Sequence, residues 1–242
     1  MAAPQIIPVG PAPNIMIEEV AGNLSLSGWD RPELQVRPRR SDEVTVDQLG
    51  DLITICCDGD CTMLVPLQAA VRIGEVGGNA QVNLLLGTVE IDEVGGSLNV
   101  SSVGSMRIGE VNGNLTVRSV AGECKVESVD GNARIARVAG DVSLRSVDGN
   151  LDVAEVVGSL QAEVDGNVSL ALRLTPSQTI MVRSDGDINC QVEPGAGANV
   201  MLKADGDIRV RNLGEPRRGA DTRLEFMIGD GSAMLHLTAD GN

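Results

Sequence analysis

Val129-Asp130-Gly131-Asn132-Ala133-Arg134-Ile135 returns eighteen residues later as Val147-Asp148-Gly149-Asn150-Leu151-Asp152-Val153. Outward from this pair, glycines fall at Gly78, Gly87, Gly96, Gly104, Gly113, Gly122, Gly131, Gly140, Gly149, Gly158 and Gly166, in steps of nine with two steps of eight. So short a unit cannot bury its own apolar face and must stack on its neighbours. The apolar residues alternate, as in Leu98/Val100, Leu115/Val117, Val142/Leu144 and Leu151/Val153, which is the signature of a strand with one buried face. The sequence therefore predicts an all-β chain: a single-stranded parallel β-solenoid, or β-helix.

The glycines sort into two alternating classes. Gly77-Gly78-Asn79, Gly95-Gly96-Ser97, Asn112-Gly113-Asn114, Asp130-Gly131-Asn132, Asp148-Gly149-Asn150 and Asp165-Gly166-Asn167 are polar, whereas Leu86-Gly87-Thr88, Ala121-Gly122-Glu123, Ala139-Gly140-Asp141 and Val157-Gly158-Ser159 have an apolar residue before the glycine. The Val103-Gly104-Ser105 corner is one residue short. Two units, about 18 residues and two strands per coil, keep the classes on separate corners. The expected winding is right-handed, as parallel crossovers nearly always are. Glycine is expected to supply positive φ at the corners, with Asp or Asn beside it tolerating the left-handed region.

Along the chain, residues 1–14 carry four prolines and read as an extended arm; residues 15–242 read as the solenoid domain, most regular over 75–170 and looser over 173–242. Val20-Ala21-Gly22-Asn23-Leu24-Ser25-Leu26 is a first copy of the unit, and Trp29 is placed to cover the open end of the core. Pro38-Arg39-Arg40-Ser41-Asp42 reads as a loop, after which 44–65 resume the repeat. Later corners are expected at Asp185-Gly186-Asp187 and Asp205-Gly206-Asp207, with strands at 188–192 and 199–204 separated by Pro194-Gly195. An insertion at 213–221 follows, then strands at 224–228 and 234–237. The closing Asp240-Gly241-Asn242 is a corner without a following strand, which leaves room for the natural chain to continue. No stretch reads as a helix. The count is about twelve coils, a rod of roughly 55 Å at the usual strand spacing.

Composition narrows function. One Trp, one Phe and no Tyr leave little for the aromatic stacking on which sugar grooves and single-stranded nucleic-acid platforms rely. A formal charge of −15 opposes nucleic acid and anionic membranes. The first fourteen residues have neither a basic run nor an apolar core of signal-peptide length, and no span of eighteen apolar residues follows. The expectation is a cytoplasmic chain with no membrane span.

Val20 to Val36, with its Gly28-Trp29-Asp30, then Leu64-Val65-Pro66 leading into Val71 to Gly78, then Arg183-Ser184-Asp185-Gly186-Asp187-Ile188, resemble the bacterial "putative adhesin" β-strand-repeat family, a domain of unknown function. The resemblance covers the chain from about residue 15. It implies a parallel β-solenoid, no catalytic residues and, since members often carry an anchor or secretion signal, a place at the cell surface.

Among chemistry-bearing residues, Cys56-Cys57-Asp58-Gly59-Asp60-Cys61 stands out. In register with the repeat, Cys57, Cys61, Cys124 and Cys190 take inward positions, where thiols act as small hydrophobes, and Cys56 points out. A zinc site needs about four convergent ligands, and the lone His236 is far off in sequence. Asp130, Asp148, Asp165, Asp185, Asp205 and Asp230 are expected to stack in a column that could recruit Ca²⁺, which takes six to eight oxygens. The repeat lacks the Gly-Gly-x-Gly-x-Asp of calcium nonapeptides, so these residues read first as turn formers. Asn79, Asn114, Asn132, Asn150 and Asn167, with Ser97, could form a side-chain ladder. With one histidine, no acid-base or nucleophilic triad can be assembled in the usual way, and no cofactor is expected. The reading is a non-enzymatic rod that contacts another protein or its own copies. The alternatives are a Ca²⁺-responsive module and an end-to-end polymer with the architecture of bactofilins.

Overall fold

The computed structural model describes residues 4–39, 44–193, 197–205, 208–209, 218–219 and 223–241. No helix occurs among them. The strands are β1 (Gln5–Pro8), β2 (Asn14–Val20), β3 (Leu24–Trp29), β4 (Glu33–Pro38), β5 (Val44–Leu49) and β6 (Leu52–Cys57). Next come β7 (Cys61–Pro66), β8 (Ala70–Val76), β9 (Ala80–Val94), β10 (Leu98–Val111), β11 (Leu115–Val120) and β12 (Cys124–Val129). These are followed by β13 (Ala133–Val138), β14 (Val142–Val147), β15 (Leu151–Val156), β16 (Leu160–Val164), β17 (Val168–Leu172) and β18 (Thr179–Ser184). Last are β19 (Ile188–Val192), β20 (Ala198–Ala204), β21 (Ile208–Arg209), β22 (Arg218–Gly219), β23 (Arg223–Ile228) and β24 (Ala233–Ala239). Twenty-two of them form one mostly parallel sheet, and β21 and β22 form a separate pair.

The pairings arrange the large sheet as two columns. One runs β5, β6, β2, β8, the second half of β9, the second half of β10, β12, β14, β16, β18, β24, β20, β23; the other runs β1, β4, β7, β3, the first half of β9, the first half of β10, β11, β13, β15, β17, β19. In the middle each strand pairs with the strand two further on, Leu115 with Ala133 and Ala133 with Leu151. This is the eighteen-residue register of the repeat. Six-residue strands follow an in-out-in-out-out-in pattern, as in β12 and β14, and their inward residues join one core cluster from Ile15 to Leu237. Nine polar corners have strands on both sides, at Gly59, Gly22, Gly78, Gly96, Gly113, Gly131, Gly149, Gly166 and Gly186. Among the described residues there are nine such two-strand units, where the sequence suggested about twelve, and the longer column, extended by end strands, spans roughly 58 Å at about 4.8 Å per strand.

The chain does not climb in sequence at either end. β6–β7 lie beneath β2–β3, so that Leu24 pairs with Cys61 on one side and Ala80 on the other. The strands between them reverse direction, β4 pairing antiparallel with β7 and β5 with β6, and β1 lies antiparallel over β4, back in the direction of the column. Residues 44–65 thus resume the repeat only from Leu52, and Gln5–Pro8 of the proline-rich segment is a paired strand. Trp29 lies inside the stack and not over an open end. Its Nε1 donates to the Glu33 carbonyl (2.7 Å) and Arg31 sits 5.0 Å over its ring, which staples the turn into β4. At the other end the last strand, β24, is inserted between β18 and β20, and β23 covers β20 antiparallel. Strands 188–192 and 199–204 therefore do not share one winding. The expected features at Arg40-Ser41-Asp42, Pro194-Gly195, Gly206-Asp207, most of 213–221 and Asn242 lie outside the described residues.

The corner glycines are required for a different reason than expected. Among the described glycines only Gly50, Gly229 and Gly231 have positive φ. A Cβ on Gly140 would instead lie 2.4 Å from the carbonyl oxygen of Gly122 one winding below, and one on Gly158 would lie 2.3 Å from that of Gly140. The left-handed conformation falls on another column, Leu84, Ser102, Ser119, Arg137 and Glu155 (φ 56 to 60°), where five successive second-column strands, β9, β10, β11, β13 and β15, bend before the last inward residue. At Gly87 and Gly104 there is no break at all, since β9 and β10 run through from one column to the other, with the register shift at Val103/Ser105 that the short spacing announces. The left-handed region costs an L-residue about 1–2 kcal/mol, part of which glycine returns through its unfolded-state entropy. Arg137→Gly, at an exposed position, is therefore expected to raise stability by about 0.5–1 kcal/mol, read from denaturant unfolding.

Candidate functional site

The polar corners form a continuous ladder along one edge. Its first rung is Asp60, whose Oδ1 accepts from the backbone N–H (2.9 Å) and Nδ2 (2.8 Å) of Asn23. Asn23 Oδ1 accepts from the Asn79 N–H (2.9 Å), Asn79 Oδ1 from Ser97 (2.8 Å), and Ser97 Oγ from Asn114 (3.1 Å). The relay continues through Asn132, Asn150 and Asn167 to the Asp187 N–H, each step 2.9 Å. Nδ2 of Asn132 and Asn150 adds a second bond to the rung below. Each side chain thus satisfies a corner N–H that the parallel ladder leaves over, a bond worth about 1 kcal/mol. Asn79, Asn114, Asn132, Asn150 and Asn167, with Ser97, stand in this ladder together with Asn23, Asp60 and Asp187, which the interleaving brings into line.

A shallow groove follows this ladder. Its floor is the ladder itself, and its wall is the outward second position of each second-column strand, including Thr62, Ser25, Gln81, Thr116, Arg134 and Ser169. The wall also carries Asp152, paired with Arg134 (2.7 Å), and Arg37 and Arg39 at the first end; the other named wall residues are uncharged hydroxyls and amides on a chain of net charge −15.

At the groove's first rung, three contacts hold the Asp60 carboxyl down to about 2: the Asn23 backbone N–H, the Arg39 guanidinium and the Asn23 side chain. Arg39 Nη1 is 2.8 Å from Asp60 Oδ2. A depressed carboxyl contributes stability that is present above its unfolded value, near 3.9, and is lost as pH falls through the folded one. The first rung is thus expected to hold at pH 3 and to release toward pH 2, followed by the Asp60 carboxyl ¹³C shift and by exchange of the Asn23 amide.

The acidic column is rearranged. The N–H groups of Asp130, Asp148, Asp165 and Asp185 donate to Val111, Val129, Val147 and Val164, which places these residues one above another. The next is Asp240, bonded to the Ser184 carbonyl, and only then Asp205, bonded to that of Ala239. Asp230 belongs to the turn before β24, where its side chain accepts from Ser232 and its pKa is lowered by that residue. Among the described residues no three of His, Cys, Asp and Glu gather as a metal ion would require.

The cysteines follow their register. Cys57, Cys61 and Cys124 are buried, while Cys56 and Cys190 are half-buried. Burial pushes the Cys124 and Cys190 thiols up to about 12. Cys56 is pushed up to about 11 by burial and by its bond to Glu18 Oε2 (3.2 Å). Cys57 and Cys61 face each other across the Asp58-Gly59-Asp60 corner; Cys57 is held far above the usual thiol value by its bond to Cys61 and by burial, and Cys61, on the other side of that bond, lies lower. Two buried polar residues carried no sequence signal. Gln178 Nε2 donates to the carbonyls of Val156 and Gly158, and Ser184 Oγ to that of Gly166; both stand where the repeat has Gly or Val.

No family profile and no curated protein matches the chain. It is similar to a solved structure described as a "putative adhesin" from Parabacteroides merdae, with 15% identity, a TM-score of 0.34, and 79% of this chain and 90% of that one covered. It is also similar to a "putative cell adhesion protein" from Clostridium sporogenes, with 9% identity, a TM-score of 0.23, and 99% and 95% covered. Among the described residues no helix is long and apolar enough to cross a membrane.

Proposed function

We propose that the chain is a right-handed parallel β-solenoid that works as a non-enzymatic interaction rod and presents the polar groove of its long edge to a protein partner. The eighteen-residue parallel register supports the winding. The observation that carries the choice of the long edge over the ends is the reversal of direction next to three of the four column ends, in β4, β5 and β23, with β1 turned back over β4. A parallel stack polymerises by continuing its own strand edges, and an antiparallel strand laid over the edge interrupts that continuation. The fourth column ends, among the described residues, on β19. The aspartates serve as turn residues in this reading, since successive carboxylates are spread one per strand along the column. The test is sedimentation and negative-stain imaging over a wide range of concentration and salt. Discrete rods of roughly 50–60 Å are expected, and growth into filaments would replace this reading with end-to-end assembly.

A further inference from the structure

Insertion of β24 between β18 and β20 assembles a group of residues that are scattered in sequence. In register across these neighbouring strands stand Met181, His236 and Met201. All three alternate with inward residues, Ile180, Val182, Leu235, Leu237 and Val200, which are buried in the core. Their side chains therefore share the outer face, with backbones about 4.8 Å apart. Met234 lies two residues before His236 on the same strand and the same face, and it is 51% exposed, as Met181 is 45% exposed. Three of the chain's eight methionines thus surround its single histidine. Met227, the next methionine on this face, is turned away: its sulfur lies beside Gly231.

The row beyond carries Arg183, Thr238, Lys203 and Arg223. Arg183 faces Asp240 at 3.8 Å, and Arg223 Nε donates to Glu225 at 2.7 Å. Glu225 continues the His236 row beyond Met201 and is engaged by that arginine. The donor-bearing side chains that this register sets side by side on the outer face are consequently three thioethers and an imidazole. Thioether and imidazole donors are poor ligands for Ca²⁺ or Mg²⁺ and good ones for soft monovalent ions. The positions are rigid sheet positions backed by core, while the unbranched methionine side chains can adjust to the ion.

We propose that His236, Met181, Met201 and Met234 form a binding site for a soft d¹⁰ monovalent cation, Cu⁺ or Ag⁺. No change of oxidation state is involved: the ion enters as Cu⁺ or Ag⁺ and leaves as such.

The experiment is an anaerobic titration of the full chain, labelled with ¹³C at the methionine methyls, with Cu⁺ held in acetonitrile or with Ag⁺. This readout separates the site from thiols, which also take these ions. The expected result is that the Met181, Met201 and Met234 methyls and the His236 ring shift together along one saturating curve, at one equivalent beyond what the thiols take, while the methyls of Met63 and Met106 in the core stay in place. His236→Gln and Met201→Leu, which keep size and exposure, are each expected to weaken this response at least tenfold without moving the unfolding midpoint. Ca²⁺ and Mg²⁺ are expected to leave the methyls unchanged. Uptake of metal with these methyls unmoved, or an undiminished response in both variants, would overturn the assignment.

Discussion

Gly140→Ala is expected to destabilise the protein by about 3 kcal/mol or more, whereas Gly10→Ala is expected to stay within about 0.5 kcal/mol. A Cβ at 140 lies 2.4 Å from the carbonyl oxygen of Gly122, 2.5 Å from its carbon and 2.9 Å from the Glu123 nitrogen, and all three are backbone atoms. They cannot rotate aside as a side chain would. The Gly140 N–H is itself bonded to the Gly122 carbonyl at 3.1 Å, so parting the two windings breaks the ladder at that corner. Nothing lies within 4 Å of a Cβ at Gly10. For a domain of this size the difference amounts to roughly 6–12 °C in melting temperature. If the two variants melt together, close approach between windings is not what the corner glycines provide.

Deletion of residues 233–242 is expected to abolish amide protection over 198–204 and 223–228 while leaving 115–156 protected. In a stack that climbs in order, removing the last strand would peel only the outermost layer. Here β24 is bonded to β18 on one side and β20 on the other, so its loss detaches β20 and β23 from the body. Leu235 and Leu237 are 2% and 6% exposed, and each contributes roughly 1.5–3 kcal/mol of apolar burial. The deletion also bares β18, a parallel edge that invites association. Hydrogen exchange by mass spectrometry reads both regions at once. Retained protection at 198–204 would show that β20 docks without β24 and that the interleaving is dispensable.

Much of the middle was legible because the repeat is local. Val129, Gly131, Asn132 and Ile135 recur one winding later with the same partners, and period-two alternation states which side chains are inside. The Asn rungs, the contracted corner at Gly104 and the burial of Cys57, Cys61 and Cys124 all follow from register alone. The conformation of the corners was misread, since glycine is equally suited to positive φ and to close approach. A sequence does not say which of the two applies. Leu84, Ser102, Ser119, Arg137 and Glu155 have no common chemistry, so their shared left-handed backbone left no trace.

The candidate sites divide in the same way. The groove along the Asn ladder could be anticipated over 79–167, where neighbours in space are one repeat apart. Its first rung could not, because Asp60 meets Asn23 only once β6–β7 pass beneath β2–β3. The methionine–histidine group is entirely of the second kind, with members at 181, 201, 234 and 236.

By itself, then, the order of residues determined strand, inward face and the eighteen-residue pairing register, for these depend on steric and hydrophobic preferences that repeat within about twenty residues. Which winding lies next to which at the two ends was decided only by the folded chain. Any strand with the alternating pattern can satisfy any exposed edge, and the arrangement adopted is the one in which reversed strands cover three of the four edges that a stack climbing in order would leave open.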